Sequence, residues 1–148
     1  MSKQNDVPYE ATIHVKDHCL CLHAQRAARA LARRFDEALR PAGLTNGQFS
    51  LLMSLNRPEP PNMSSVASLL AMDRTTLTAA LKPLEREGLV EISADPNDKR
   101  TKRLILTKVG RKKLAAALPL WTQAHDEIEK SIPSLDPDRL RADLLSLS

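Results

Sequence analysis

The residues best suited to chemistry are concentrated in one short segment, from Asp95 to Lys113. This segment holds eight basic and two acidic residues, so its net charge is +6, whereas the rest of the chain carries −2. A dense basic segment in a mildly acidic protein indicates a polyanionic partner such as nucleic acid. A solvated surface stretch rich in lysine is the alternative. The basic residues are Lys99, Arg100, Lys102, Arg103, Lys108, Arg111, Lys112 and Lys113.

A second group of candidate residues lies upstream, in the stretch 72–88. Leu77, Leu81 and Leu84 have the spacing of a buried helix face. The start of a helix favours phosphate, arginine can read guanine edges, and threonine can contact a base edge or a thymine methyl. An ordinary surface helix is the alternative, but the basic segment that follows favours DNA contact. The polar face comprises Arg74, Thr75, Thr78, Lys82 and Arg86.

A β-hairpin is predicted to carry the basic segment. Residues 89–93 and 102–107 show β-branched side chains and partial alternation, and turn-forming residues lie between them. If Asp98 and Arg100 lie on a strand, they share a face, and the carboxylate holds the guanidinium at a fixed angle. An exposed ion pair worth at most about 1 kcal/mol is the alternative. An arginine at a loop tip suits a narrow, electronegative minor groove.

Helices make up most of the remaining chain. Apolar spacing predicts one long helix over 13–39, and another over 108–130 that Pro119 breaks or bends. Pro83 is expected to kink the helix that contains the polar face. Only 3% of the residues are aromatic and only four are glycine, which argues against a β-sandwich or a barrel. The predicted helix caps are Thr45 with Gln48, Ser64 or Ser65, Asp73, Gly88, and Asp136 after Pro133.

The order of these elements predicts a mainly α fold with a small β-hairpin wing. A short helix, a turn and a second helix followed by a hairpin form a winged helix-turn-helix. We predict this DNA-binding domain over 44–107, flanked by a helical dimerisation region formed by 13–43 and 108–148. Residues 1–12 are polar and are expected to form a flexible arm.

The sequence then resembles a known family. The segment DPNDKRTKRLILTKVG is similar to the wing signature of MarR-type regulators, and DRTTLTAALKPLEREGLV resembles their recognition helix and its exit to the wing. The resemblance covers about residues 15–146. At one departure, Ala71 occupies a turn where the family often has glycine. The wing residues that carry the resemblance are Asp98, Arg100, Leu104, Leu106, Thr107 and Gly110.

The resemblance implies an obligate homodimer with interlocked terminal helices, bound to a pseudo-palindromic operator in double-stranded DNA. It implies a repressor that is released by a small phenolic or carboxylic effector, or in some members by oxidation of a cysteine. Arg100 would enter the minor groove. The full set of expected DNA contacts is Arg74, Thr75, Thr76, Thr78, Lys82, Arg86, Asp98, Lys99, Arg100 and Lys102.

Histidine and cysteine residues cluster near the start of the first predicted helix. On one continuous helix His14, His18 and Cys21 would share a face, which is an arrangement that can bind metal. Cys19 and Cys21 would lie about 160° apart on such a helix and could not bridge each other. Structural packing, redox sensing and effector contact remain open for His18, Cys19 and Cys21, and no metal site is predicted.

Trp121 is either a core residue or part of an effector pocket.

Other function classes find little support in the chain. We find no phosphate-binding glycine loop, nucleophile elbow or metal-hydrolase motif, so we predict no enzyme and no cofactor. A winged helix that binds protein instead of DNA is the alternative, and the clustered charge argues against it. Without a signal peptide or a long apolar run, we expect a cytoplasmic protein without membrane contact.

Overall fold

The computed structural model describes residues 6–132 and 136–148. These residues are mainly helical and contain one antiparallel hairpin, so the predicted fold class is confirmed. The elements are α1 (Tyr9–His18), α2 (Leu20–Leu39), a 3₁₀ turn (Arg40–Ala42), α3 (Asn46–Leu55), α4 (Met63–Leu70), α5 (Arg74–Arg86), β1 (Val90–Ala94), β2 (Lys102–Leu106), α6 (Lys108–Lys130) and α7 (Pro137–Ser146).

The chain divides into two compact units, Met1–Arg34 and Phe35–Ser148. The first contains α1 and most of α2, and here the prediction of one helix over 13–39 is wrong. The helix begins at Tyr9 and is interrupted at Cys19, whose backbone is extended with φ −66° and ψ 109°. No proline or glycine marks this break, and the apolar spacing continues through it, so the sequence gives no local signal.

Local capping chemistry sets the helix starts of the second unit. Thr45 and Gln48 form the predicted capping box of α3, and Asp73 caps α5 by accepting the N–H of Thr76 over 2.7 Å. The prediction that Ser64 or Ser65 caps α4 is wrong. Asn62 caps it instead, and its side chain accepts the N–H of Ser65 over 2.8 Å.

The two internal prolines do not end their helices. α5 continues through Pro83 to Arg86, and α6 continues through Pro119 to Lys130. A proline removes only one backbone donor. Buried Leu81 and Leu84 anchor α5 on either side of Pro83, so packing maintains the helix. The helix is therefore not broken at Pro119, and the alternative that was predicted, a bend there, stays a prediction.

One hydrophobic core joins α3, α4, α5, the hairpin and α6. In the hairpin Val90 pairs with Leu106 and Ala94 with Lys102. β2 also has a neighbour on its other side, because the N–H of Leu104 donates to Pro61 O over 2.9 Å. The largest fully buried side chains are Leu39, Leu51, Leu52, Leu55, Val66, Leu77, Leu81, Leu84 and Leu104.

The C-terminal helix α7 begins as predicted, with Asp136 at the N-cap and proline at its first position. The predicted separation at Pro133 lies outside the described residues. Arg141 donates to both Glu129 and Asp138 over 2.6 Å, which ties α7 to the end of α6. None of the helices in the described ranges is long and apolar enough to cross a bilayer.

Candidate nucleic-acid interface

Helix α5 presents the predicted polar face to solvent. Leu77, Leu81 and Leu84 are buried in the core, which fixes the helix orientation. The N–H of Thr76 holds the pKa of Asp73 below its usual value, so this cap stays ionised at neutral pH. The exposed residues of α5 include all of its predicted DNA contacts, namely Arg74, Thr75, Thr76, Thr78, Lys82 and Arg86.

Within this face, Thr75 and Thr78 differ in their hydrogen bonding. The hydroxyl of Thr78 donates to the carbonyl oxygen of Arg74 over 2.7 Å, within the helix. Such a back-bond uses the only hydroxyl proton of the side chain. In the free protein Thr78 therefore offers a partner its methyl group and the acceptor capacity of its hydroxyl oxygen, but no hydroxyl donor.

The turn between α4 and α5 contains a strained residue. Ala71 has φ 52° and ψ 42°, which makes it the one non-glycine residue in the left-handed region among those described. The N–H of Met72 closes the turn by donating to Ala67 O over 2.9 Å. This conformation explains why glycine is frequent at this turn, because a Cβ is disfavoured there.

The wing tip corrects the predicted role of Asp98. Asp98 and Arg100 lie in the loop between the strands and not on a strand. One carboxylate oxygen of Asp98 accepts the backbone N–H of Arg100 over 3.0 Å, and the other accepts the hydroxyl of Thr101 over 3.3 Å. Asp98 therefore shapes the backbone at the tip and does not hold the guanidinium.

Another basic residue of the segment is already engaged within the protein. Nε of Arg103 donates to Oδ2 of Asp95 over 2.7 Å, and the Asp95 side chain is only 9% exposed. The N–H of Asn97, then Arg103, lowers the pKa of Asp95. The charge of Arg103 is therefore already paired within the protein. Lys99, Arg100 and Lys102, in contrast, are exposed to solvent. The sequence did not predict this pair, because Asp95 and Arg103 meet only when the hairpin has formed.

Trp121 packs in an aromatic cluster beside a cavity. Its ring is stacked on His125 at 4.6 Å, Phe49 at 5.9 Å and Phe35 at 6.2 Å between centroids. A cavity of about 350 Å³ lies between α3, α4 and α6, with Trp121 on its wall. The other lining residues are Phe49, Ser50, Met53, Ser54, Leu69 and Leu118, none of them charged.

The cysteines are two free thiols in different settings. Cys19 is half-buried at the break after α1, and Cys21 is exposed in the first turn of α2. Because the helix is interrupted at Cys19, the two cysteines do not lie on one continuous helix, and the expected separation of about 160° does not apply. The rings of His14 and His18 are stacked at 4.2 Å. Within the residues that the structure describes, no three potential ligands gather as a metal site.

The fold and this surface define a winged-helix DNA-binding protein. The MarR family profile matches residues 44–102, from just before α3 to the first residue of β2. MosR from M. tuberculosis, solved in complex with DNA, is 41% identical, with a TM-score of 0.80 over 88% of this chain and 93% of that one. The chain belongs to the MarR family, which confirms the resemblance, and members of this family are transcriptional regulators and not enzymes.

Two further solved structures, both of proteins named CouR, support the same relationship. CouR, a transcriptional repressor solved on a 23-mer DNA duplex, is 31% identical over 90% of this chain and 92% of that one, with a TM-score of 0.72. CouR from Rhodococcus jostii RHA1 was also solved with p-coumaroyl-CoA, with 26% identity, 88% and 92% coverage and a TM-score of 0.75.

The curated relatives match over a smaller part of their length. The HTH-type regulator YwoH of Bacillus subtilis is 35% identical over 88 residues, which are 60% of this chain and 64% of YwoH. The first three curated relatives are matched over 51% to 67% of their length. Their complete activities therefore do not transfer to this chain as findings.

Proposed function

We propose that this chain is a homodimeric repressor that binds a pseudo-palindromic operator and is released by a small phenolic or carboxylic effector. The observation that carries the proposal is the exposed polar face of α5, followed by the basic wing tip. CouR, which is a transcriptional repressor, supports repression as the sign of regulation. In this proposal residues 44–107 bind DNA, and 13–43 with 108–148 form the dimerisation region. The flexible arm predicted over 1–12 does not extend to residue 12, because α1 begins at Tyr9.

Each part of this surface has a proposed groove. The first turn of α5 enters the major groove, where arginine and threonine can read base edges. Arg100 enters the minor groove at the wing tip, and Asp98 keeps its backbone in place. The residues proposed to touch DNA directly are Arg74, Thr75, Thr76, Thr78, Lys82, Arg86, Lys99, Arg100 and Lys102.

Exposed apolar side chains support the homodimer. Tyr9 and Leu20 in the first unit are 73% and 72% exposed, and Leu145 and Leu147 at the C-terminus are 75% and 68% exposed. Large apolar side chains left in water in this way often mark an interface. A two-fold dimer would place two α5 helices on half-sites about one helical turn apart, roughly 10–10.5 bp.

The cavity beside Trp121 supports an aromatic effector. Its volume of about 350 Å³ suits one ring with a short substituent. The indole of Trp121 and the side chain of Ser50 line the cavity, and Ser54 can only accept a hydrogen bond there, because its hydroxyl donates to Leu51 O over 2.6 Å. A carboxylate on the effector would have to extend beyond the cavity, because no lining residue is charged. The p-coumaroyl-CoA bound to CouR supports this class of ligand.

The DNA-binding proposal is tested on duplexes selected from a random library by the full-length protein. Fluorescence anisotropy then measures affinity for the selected duplex and for a scrambled duplex of the same length, at several salt concentrations. A regulator binds the selected duplex roughly a thousandfold or more tightly, with a steep loss at high salt. Equal affinity for both duplexes would contradict sequence-specific binding. Transcription in vitro from a promoter that carries the selected site then separates repression from activation.

The effector proposal has a direct optical probe, because Trp121 is the single tryptophan of the chain. Phenols, cinnamic acids and their uncharged esters are titrated against the fluorescence of the protein. A ligand in the cavity changes the emission of Trp121 and weakens binding to the selected duplex at the same concentration. Leu118→Phe, which narrows the cavity without adding a second tryptophan, should weaken both effects while DNA binding persists. A ligand that releases DNA without changing the emission would place the effector elsewhere.

A second candidate function is thiol-based redox sensing. The exposure of Cys21 and the interruption of the helix at Cys19 favour it, because an accessible thiol can react. In this case dilute hydrogen peroxide releases the selected duplex, a thiol reductant restores binding, and Cys19→Ser or Cys21→Ser removes the response. Unchanged DNA affinity after stoichiometric thiol oxidation would contradict redox sensing. In that outcome His18, which was predicted as an effector or redox contact, would be no more than a surface residue of α1.

A further inference from the structure

One arginine ties the wing to the loop that precedes α4. Arg103 lies in β2 opposite Ser93. Its Nε donates to Asp95, at the end of the hairpin, and its Nη1 donates to the carbonyl oxygen of Pro60 over 2.7 Å. The guanidinium is a rigid planar group, so both partners are held in fixed directions. A single side chain therefore joins the wing to the body of the helix-turn-helix.

Asp95 extends this constraint into the tip of the wing. Its second carboxylate oxygen accepts the N–H of Asn97 over 2.8 Å, and its own N–H donates to the carbonyl oxygen of Thr101 over 2.8 Å. Both ends of the tip loop are therefore attached to one nearly buried residue. A buried carboxylate with occupied oxygens resists reorientation, because losing a partner leaves its charge uncompensated.

The same loop is attached to the start of α4. Asn62 forms an isolated antiparallel bridge with Arg103, and the side chain of Asn62 caps α4. α4 in turn leads through the strained turn at Ala71 to α5. The hydrogen bonds therefore form an unbroken path from the wing tip to the first helix of the helix-turn-helix.

We propose that Arg103, acting through Asp95, is a positioning residue that sets where Arg100 at the wing tip meets DNA relative to α5. The proposal rests on the DNA-binding function proposed above. Its competitor is a direct phosphate contact by Arg103. Two of its three guanidinium nitrogens donate to protein oxygens, and its side chain is 34% exposed, less than the freely exposed cations of the wing. A positioning role predicts that Arg103 matters only as long as Arg100 is present.

A double-mutant cycle tests this dependence. Arg103→Met, Arg100→Ala and the double variant are compared with the unmodified protein on the selected duplex at one salt concentration. We expect Arg103→Met to weaken binding about tenfold, and the double variant to bind within about twofold of Arg100→Ala alone. Such a result would mean that Arg103 contributes to DNA affinity only by positioning Arg100. Losses that multiply in the double variant would overturn the proposal.

Arg111→Met is the control matched for charge. Arg111 is an exposed arginine at the start of α6, so its removal changes the same formal charge without touching the hydrogen bonds at the wing. Its effect should multiply with that of Arg100→Ala. Arg103→Lys keeps the charge but not the planar donor pair, so it should recover only part of the affinity. Full recovery by lysine would show that charge alone matters, and would also overturn the positioning role.

A second double-mutant cycle separates an effect on folding from an effect on the position of Arg100. If Arg103→Met fails to give a cooperative thermal transition, Asp95→Asn replaces it, since the amide keeps the shape of the carboxylate and removes its charge. The expected dependence on Arg100 is the same. If the unmodified protein selects no duplex at all, the proposed function fails and this inference fails with it. Binding by the unmodified protein with independent losses overturns the inference alone.

Discussion

The side-chain hydroxyl of Thr107 donates to the carbonyl oxygen of Gly88 over 2.6 Å. Gly88 follows α5 with φ 73°, and Thr107 is the N-cap of α6, where its hydroxyl also accepts the N–H of Gly110 over 3.0 Å. One side chain therefore joins the exit of α5, the base of the hairpin and the first turn of α6. The threonine and glycine of the wing signature have a structural role here.

Gly110→Ala is expected to destabilise this junction. A Cβ at position 110 would collide with the carbonyl oxygen of Leu89 and lie 2.8 Å from Cδ1 of Leu106. We expect the free energy of unfolding to fall by about 1–3 kcal/mol, measured by urea denaturation. Gly47→Ala is the control, since a Cβ there meets nothing within 4 Å and replacing a helical glycine should stabilise by up to about 1 kcal/mol. Equal effects of the two substitutions would contradict the steric argument.

Features encoded by neighbouring residues were predictable from the sequence. The capping box at Thr45, the cap at Asp73 and the stop at Gly88 each depend on side chains within a few positions, so their chemistry is visible without the fold. The break at Cys19 was not predictable, and the sequence could not decide whether Pro119 breaks or only bends α6. Both depend on packing and backbone geometry that no local residue type signals.

In the candidate site, too, the features encoded by neighbouring residues were predictable and those that depend on distant contacts were not. The buried leucines of α5 fixed which of its residues face solvent, and helical periodicity reports this directly. The bonds of Asp98 and Arg103 depend on the loop conformation and on Pro60, which lies 43 positions before Arg103. The expected contact between Asp98 and the Arg100 guanidinium depended on both residues lying on a strand, although Asp98 is itself one of the turn formers that indicate a loop.

Arg100→Ala is expected to weaken binding to the selected duplex by about 1–3 kcal/mol and to leave the oligomeric state unchanged. The exposed tip position of Arg100, on a backbone held by Asp98, is the reason for this expectation. Anisotropy at matched salt measures the affinity, and sedimentation equilibrium measures the oligomer. Arg111→Ala removes the same charge from α6 and should cost less. An affinity equal to that of the unmodified protein would remove the wing tip from the DNA contacts.

Thr75→Ala is expected to change sequence preference more than general DNA affinity. Binding to the selected duplex should weaken by about 1 kcal/mol, whereas binding to the scrambled duplex should change by less than about twofold. Thr78→Val provides a matched comparison. It keeps the β-branched shape and loses a hydroxyl already bonded to Arg74, so the preference should persist. Equal losses on both duplexes after Thr75→Ala would contradict a role in base reading.

Acid should destabilise the fold through three carboxylates. The pKa of Asp36 is lowered by the backbone N–H and the side chain of Asn46, that of Asp73 by the N–H of Thr76, and that of Asp95 by the N–H of Asn97 and by Arg103. The unfolded chain, with aspartate pKa values near about 3.9, takes up protons at a higher pH than the folded chain. The stabilisation is complete above about pH 4 and is lost as the pH falls through the lower, folded values.

Asp73→Asn isolates one of these contributions. Asparagine is also a good N-cap, so the helix start is kept while the titrating group is removed. The variant should therefore lose less stability than the unmodified protein as the pH falls from about 6 to about 3, with urea denaturation as the measurement. Because the N–H of Thr76 is the largest cause of the lowered Asp73 pKa, the difference should reflect the loss of that hydrogen bond from the protonated carboxyl. Parallel curves for the two proteins would show that Asp73 does not contribute to the acid sensitivity.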